Sequence, residues 1–248
     1  MEQVLLVTGG GRGIGAATAL LAADEGWTVA VNYRDREDAA AQVVQRILAS
    51  GGRAVAVQGD VASEADVLRM FAEVDARLGR LTALVNNAGV VDVSARLEDM
   101  SAARLRRMFD VNVLGTMLCT REAVRRMSTR RGGRGGAIVN VSSAAARLGS
   151  PGQYVDYAAA KGAVDAFTIG LAREVAADGI RVNAVRPGLI DTELHASGGL
   201  PDRVRDLAHQ VPMGRGGTAQ EVAQAIVWLL SPQASYTTMS MLEVSGGR

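Results

Sequence analysis

Tyr157 and Lys161 stand four residues apart in the stretch QYVDYAAAK (153–161). On a helix that interval sets both side chains on one face, one turn from each other. A free tyrosine titrates at about 10, too high for efficient proton exchange at neutral pH, and an ammonium beside it favours the phenolate and lowers that value. The two residues therefore form a candidate acid/base couple. Lys161 is also the only lysine in the chain; the other 26 of the 27 basic residues are arginine. A compact ammonium with three rotatable donors can charge a phenol and hydrogen-bond a ribose at once, a geometry that arginine's wide planar fork does not reproduce.

A second cluster, TGGGRGIG (8–15), follows a β-branched run and opens a helical pattern. Gly9, Gly13 and Gly15, with Ile14 between the last two, fit a tight turn, close backbone approach to a phosphate and close helix–strand packing. The helix N-terminus behind them would hold a pyrophosphate through its free N–H groups and dipole. No Lys-Ser or Lys-Thr follows, which removes the alternative nucleoside-triphosphate loop. A dinucleotide site is read at the tip of the second strand, where an acid suits the NAD ribose and an arginine suits a 2′-phosphate. That strand ends Asn32-Tyr33-Arg34. Arg34, with Arg12 from the glycine turn, offers guanidinium forks to a phosphate, so NADP(H) is the preferred cofactor. Asp35 and Glu37 just beyond leave NAD(H) use open, and Arg34 also reads as an ordinary surface charge.

These residues need a frame that brings them together. Seven apolar runs read as strands: 4–8, 28–33, 53–58, 83–87, 136–143, 181–186 and 241–245. Amphipathic stretches such as EDAAAQVVQRILAS and EADVLRMFAEVDARLG lie between them. Such alternation predicts an α/β fold, one doubly wound Rossmann domain over 1–248 with a mostly parallel sheet and helices on both faces. Ligands then bind at the carboxyl ends of the strands. No linker divides the chain. The irregular stretch 188–218 is long for a loop in a compact domain and reads as a substrate lid.

Composition narrows the field further. The net charge of +1 creates no field for nucleic acid or an anionic membrane. The basic patch RRMSTRRGGRGG (125–136) has no aromatic residue for base stacking and reads as a solvated loop. No apolar stretch approaches the ~20 residues of a membrane span, and the first apolar run is too short for a secretory signal. The single cysteine, Cys119, fits a reducing compartment. A cytoplasmic protein without nucleic-acid or membrane partners is the expectation. No Cys/His/Asp spacing suggests a metal site.

Taken in order, the motifs resemble those of the classical short-chain dehydrogenase/reductase family, of the glucose-1-dehydrogenase or 3-oxoacyl-ACP reductase-like kind, across essentially the whole chain. TGxxxGIG is Thr8, Gly9, Gly13, Ile14 and Gly15; NNAG is Asn86 to Gly89; DVNVLG contains Asn112; YxxxK is Tyr157 with Lys161; and PG is Pro187-Gly188. The resemblance implies cofactor contacts from Asp60 and Val61 near the adenine, from Asn87, Ala88 and Gly89, and from Pro187, Gly188 and Thr192. It implies Tyr157 as general acid/base, Ser143 as partner of the substrate oxygen, Lys161 as the group that lowers the Tyr157 pKa and holds the ribose, and Asn112 as holder of a relay water. The neighbouring Ser142 is the alternative to Ser143, because the interval to Tyr157 is one residue longer than in many relatives. The implied reaction is hydride transfer between a nicotinamide and a small carbonyl/alcohol substrate, by a homotetramer or homodimer packed through helices around 101–129 and 156–178. A 3-oxoacyl thioester reductase and a sugar dehydrogenase both fit, as does a non-catalytic NADP-binding regulator on the same fold. Tyr154 is expected before the helix, facing substrate or packed in a loop; His195 in the lid and His209 read as solvated or loop-packed.

Overall fold

The computed structural model describes residues 3–193, 198–200 and 202–248. Its centre is a seven-stranded sheet of β1 (Val4–Val7), β2 (Thr28–Tyr33), β3 (Arg53–Gln58), β4 (Ala83–Asn86), β5 (Gly136–Val141), β6 (Ile180–Pro187) and β9 (Met241–Val244). The spatial order is β3-β2-β1-β4-β5-β6-β9, and every neighbouring pair is parallel. The order reverses between β1 and β4, the switch point at which such sheets open a crevice. Helices α1 (Gly13–Asp24), α2 (Glu37–Ala49) and α9 (Ala219–Leu230) cover one face; α3 (Glu64–Leu78), α5 (Gly115–Met127) and α7 (Val155–Val175) cover the other.

The period-two geometry of a strand decides which residue faces which layer. Leu5 and Val7 pack with Val29, Val31 and Ile226 on the first face, whereas Val4 and Leu6 pack with Phe71, Met70 and Ile138 on the second. Both faces are apolar, so the strands read as nearly continuous hydrophobic runs. Cys119 is buried in the second layer, where burial pushes its thiol up to about 12.

Where the strands end is informative. β1, β4 and β5 stop one or two residues before the ends of the apolar runs 4–8, 83–87 and 136–143. Thr8, Asn87, Ser142 and Ser143 leave the strands to build the cleft. The Thr8 hydroxyl accepts the N–H groups of Asn87 and Ala88, both at 3.0 Å, and so ties the β1 turn to the β4 turn.

The stretch 188–218 contains two short strands, β7 (Ile190–Asp191) and β8 (Gly217–Thr218), paired parallel as a separate ladder, with helix α8 (Arg203–Leu207) between them. The sequence pattern gave the helix but not the ladder, whose two-residue strands have no readable period. His195 lies outside the described residues. The glycine-arginine patch is a turn between α5 and β5, with Arg130 Nε 2.6 Å from Asp178 Oδ1 and Arg80 donating to the Gly132 carbonyl. Among the described residues no helix is long and apolar enough to cross a membrane.

Candidate active site

A cleft of about 360 Å³ opens along the carboxyl ends of the strands, lined from Arg34 beyond β2 to Arg203 on α8. Its phosphate end is the glycine turn. Gly9 and Gly13 have φ of 60° and 52°, a region L side chains rarely adopt. Asn32 fixes the turn from below: Oδ1 accepts from Gly9 N at 3.1 Å, while Nδ2 donates to Val57 and Gly59 carbonyls at 3.3 and 3.0 Å. Gly15 takes the packing role in that pattern: it is not among the residues lining the cleft, and a Cβ there would come within 2.5 Å of Asn87 Nδ2 and of the Gly9 carbonyl. Its task is the close packing of α1 against the β4 turn, where Asn87 Nδ2 donates to the Thr8 and Gly9 carbonyls at 3.0 Å.

The start of α1 is built to accept an anion. Helices α3, α9 and α4 (Ala102–Phe109) begin under Ser63, Thr218 and Ser101, whose side chains take an orphan N–H. α1 has no side-chain cap and no acid in its first turn, so its N–H groups face the cleft unclaimed by side chains. Thr192 stands beside it, its methyl 3.4 Å from where a Gly13 Cβ would be.

Arg12, Arg34, Asp60 and Val61 all line the cleft, as does Arg36, which sequence reasoning passed over. Their charges are partly engaged. Arg12 meets Glu193 at 3.2 Å, Arg34 meets Asp35 at 2.7 Å and Asp60 at 4.0 Å, and Arg36 meets Asp38 at 3.1 Å. These pairs are exposed and individually weak.

At the other end, Tyr157 and Lys161 share the face of α7 that their spacing requires. Lys161 is 4% exposed, its Nζ 2.8 Å from the Val141 carbonyl and 5.5 Å from the Tyr157 ring centroid. Burial lowers its pKa to about 8, against the raising influence of Asp165 one turn on. Tyr157 is half-buried in the cleft wall, and desolvation pushes its phenol up to about 12, with the hydrogen bond from Ser143 pulling the other way. Loss of water is the larger influence on the phenol.

Ser143 faces the cleft on the same wall as Tyr157, and its Oγ accepts from Ala145 N at 3.0 Å. Ser142 is buried, and its hydroxyl lies 3.4 Å from the Lys161 carbonyl. Both serines line the cleft, Ser143 the more exposed of the two. Asn112 lies behind the cleft wall at 0% exposure, in a π-helical turn (Asp110–Leu114) joining α4 to α5. Such turns recur at functional sites. Its side chain is spent on neighbours: Oδ1 accepts from Val90 N at 3.2 Å, and Nδ2 donates to Val90 and Met108 carbonyls at 3.0 and 2.9 Å. Gly89 makes this convergence feasible, because a Cβ there would lie 2.8 Å from Asn112 Oδ1 and 3.6 Å from Lys161 Nζ. Ala88, Pro187 and Gly188 complete the lining.

Tyr154 caps the start of α7, buried, its hydroxyl 3.5 Å from the Gly198 carbonyl. A positioning pair missed by sequence reasoning lies one residue from Tyr157. Arg104 of α4 donates to both oxygens of Asp156, at 2.8 and 3.3 Å, and to the Val93 carbonyl at 2.6 Å; Asp156 in turn accepts from Tyr157 N at 2.9 Å. Fifty-two residues separate the partners, so no spacing rule reveals them.

With this geometry in place, the relatives can be compared. A family model described as enoyl-(acyl carrier protein) reductase matches residues 9–248. The uncharacterized oxidoreductase YgfF of Escherichia coli K12 is 57% identical over 245 residues, covering 99% of both chains. A 3-oxoacyl-[acyl-carrier-protein] reductase of Synechocystis is 39% identical over 250 residues, covering 99% of this chain and 96% of that protein. Among solved structures, a short-chain type dehydrogenase/reductase from Mycobacterium marinum superposes with a TM-score of 0.93 at 35% identity, covering 99% of this chain and 94% of that one. The fold and these matches define an oxidoreductase enzyme. The chain belongs to the short-chain dehydrogenase/reductase family.

Arg104 and Asp156 generate a test of the site's support. Removing one partner of a buried pair leaves the other charge uncompensated, so Arg104→Ala is expected to cost about 3 kcal/mol of stability. Arg104→Lys recovers only part, since an ammonium cannot grip a carboxylate in parallel. Urea midpoints measure both; a shift under roughly 0.5 kcal/mol in Arg104→Ala would mean the pair is incidental.

Proposed function

We propose that the protein is an NADP(H)-dependent reductase or dehydrogenase of a carbonyl/alcohol pair, with Tyr157 as general acid in reduction and general base in oxidation. The observation that carries the reading is the convergence of Ser143 and Tyr157 on the cleft wall, with the buried Lys161 Nζ 5.5 Å from the Tyr157 ring centroid. A carbonyl oxygen seated between the two hydroxyls receives a hydrogen bond from each as negative charge develops on it. The nicotinamide supplies or accepts the hydride. A phenol held at about 12 is fully protonated at neutral pH, ready to donate. Lys161 donates to ribose hydroxyls and steadies the phenolate left behind.

The proton must then be replaced. Asn112's side chain is engaged, and its main-chain carbonyl accepts from Thr116 Oγ1 at 3.0 Å. This carbonyl is the proposed seat of the water that links Lys161 to solvent. The uncapped start of α1, with Gly9, Gly13, Ile14 and Thr192, holds the pyrophosphate. Asp60 and Val61 flank the adenine, and Asn87, Ala88, Gly89, Pro187 and Gly188 wall in the ribose and nicotinamide. Residues 188–218 form the lid of this one domain, and the enzyme works in the cytoplasm.

The first assay follows NADPH consumption against ketones, aldehydes, 3-oxoacyl thioesters and quinones, with Tyr157→Phe beside wild type. Turnover is expected in wild type and a loss of at least about a thousandfold in the variant, with NADPH binding retained. A variant that keeps its rate removes Tyr157 from the proton path.

NADP(H) preference rests on Arg12, Arg34 and Arg36 around a strand tip that ends in Tyr33 instead of an acid. A bound 2′-phosphate draws Arg34 from the exposed Asp35 pair, an exchange of one weak contact for a charge-assisted one. Arg34→Asp is expected to lose NADPH affinity by about tenfold or more and gain NADH affinity, read by nicotinamide fluorescence titration. An unchanged ratio assigns Arg34 to the surface.

Homo-oligomer formation is supported by apolar side chains left exposed near or on the expected contact helices: Phe109, Leu114 and Met117 along α4–α5, and Ile169 on α7. Sedimentation at micromolar concentration is expected to give a dimer or tetramer; a monomer alone overturns this part.

A further inference from the structure

Of the arginines lining the cleft, Arg12, Arg34 and Arg36 each meet a carboxylate. Arg203 meets none. It sits at the first position of α8 with its guanidinium carbon 5.3 Å from the Tyr154 ring centroid, and among the described residues that stacking is its side chain's only recorded partner. The nearby acids are already committed. Asp202 and Asp206 on either side are held by Arg205 at 3.0 and 3.3 Å, Asp156 by Arg104 at 2.8 Å, and Asp92 by Arg107 at 2.5 Å. Arg248 lines the same cleft and adds a second positive charge toward Arg203. Burial and this like charge both press the Arg203 guanidinium below its usual value. A half-buried cation beside another cation is unfavourable unless an anion joins them.

The position says which ligand that anion belongs to. Tyr154 lies three residues ahead of Tyr157, at the far end of the cleft from Arg34. Gly198 packs against Val91, the Asp92 carbonyl and the Tyr154 hydroxyl, and Val91, Tyr154 and Arg203 all line the cleft here. We propose that Arg203, backed by Arg248, is an oxyanion-binding subsite, and that the carbonyl substrate carries a carboxylate or phosphate group remote from the reacting carbon. The assignment of that anion to a substrate rests on the proposed function; the subsite itself does not. Guanidinium forks match carboxylate and phosphate geometry, and the stacking on Tyr154 preorganises the fork. A neutral carbonyl compound leaves both guanidinium groups without a counter-charge, so the subsite selects against it.

Calorimetric titration of the full chain with benzoate, phenyl phosphate and benzamide, with and without NADPH, tests this directly. At least one anion is expected to bind about tenfold or more tightly than the isosteric amide, and the tighter of the two identifies the oxyanion. Arg203→Met and Arg203→Gln are both expected to abolish that advantage, and Arg203→Lys to restore part of it. Equal affinities of the three probes in wild type overturn the proposal, as does an advantage that survives in either neutral variant. Turnover of both neutral and anionic carbonyl compounds with NADPH is read in a separate assay. Its absence with every compound counts against the proposed function, whereas loss of anion preference alone counts against Arg203.

Discussion

The burial of one ammonium organises the catalytic half of this molecule. Lys161 lies under the cleft, anchored by the Val141 carbonyl at the last residue of β5. A cation in that place needs a donor stem thin enough to pass between α7 and the sheet, and a head small enough to fit beside Gly89 and Asn112. A guanidinium would need five satisfied N–H groups where the structure offers one recorded carbonyl. This explains how a chain that otherwise uses only arginine for its fixed positive charges keeps one lysine. Gly89 without a Cβ, the π turn that brings Asn112 inward, and the Gly115 contact with Val61 beyond it are concessions to the same crowding.

Crowding also sets the electrostatics. Removing water raises an acid that is charged when deprotonated and lowers a base that is charged when protonated, so burial drives the Tyr157 and Lys161 values apart, to about 12 and about 8. Sequence spacing makes the Coulomb attraction between phenolate and ammonium legible, but not the desolvation of the phenol. On the proposed reading, the resting state is the one reduction needs, a protonated phenol with Ser143 on the same cleft wall. The ammonium matters most after the proton has left, when its attraction to the phenolate is no longer hypothetical.

Local signals were legible and distant ones were not. Each strand of the central sheet coincides with an apolar run, because a strand buried on both faces leaves a continuous hydrophobic record. Ser143, Tyr157 and Lys161 reach the cleft in their expected order. The glycine spacing named a turn, a phosphate approach and a packing contact together, but could not say that Gly15 is the member against Asn87. Asn112 was named as holder of a water, while the clamp its side chain puts on Val90 left no mark in the sequence. The Arg104–Asp156 pair and the stacking of Arg203 on Tyr154 join segments dozens of residues apart. In a chain so rich in arginine, nothing marks two of them beforehand.

That abundance of arginine sharpens the question of specificity. Most recorded guanidinium groups here are paired on the surface, where each contributes little to stability and leaves the net charge near zero. Against this neutral background an unpaired cation facing the cleft carries information that a basic protein would blur. The sheet and α7 hold the proton-transfer groups rigidly, while the stretch beyond β6 carries Arg203 on a helix of five residues. On the proposed function, chemistry and selection thus rest on different parts of the chain, and changes in 188–218 would alter which carbonyl compound enters without disturbing the buried lysine.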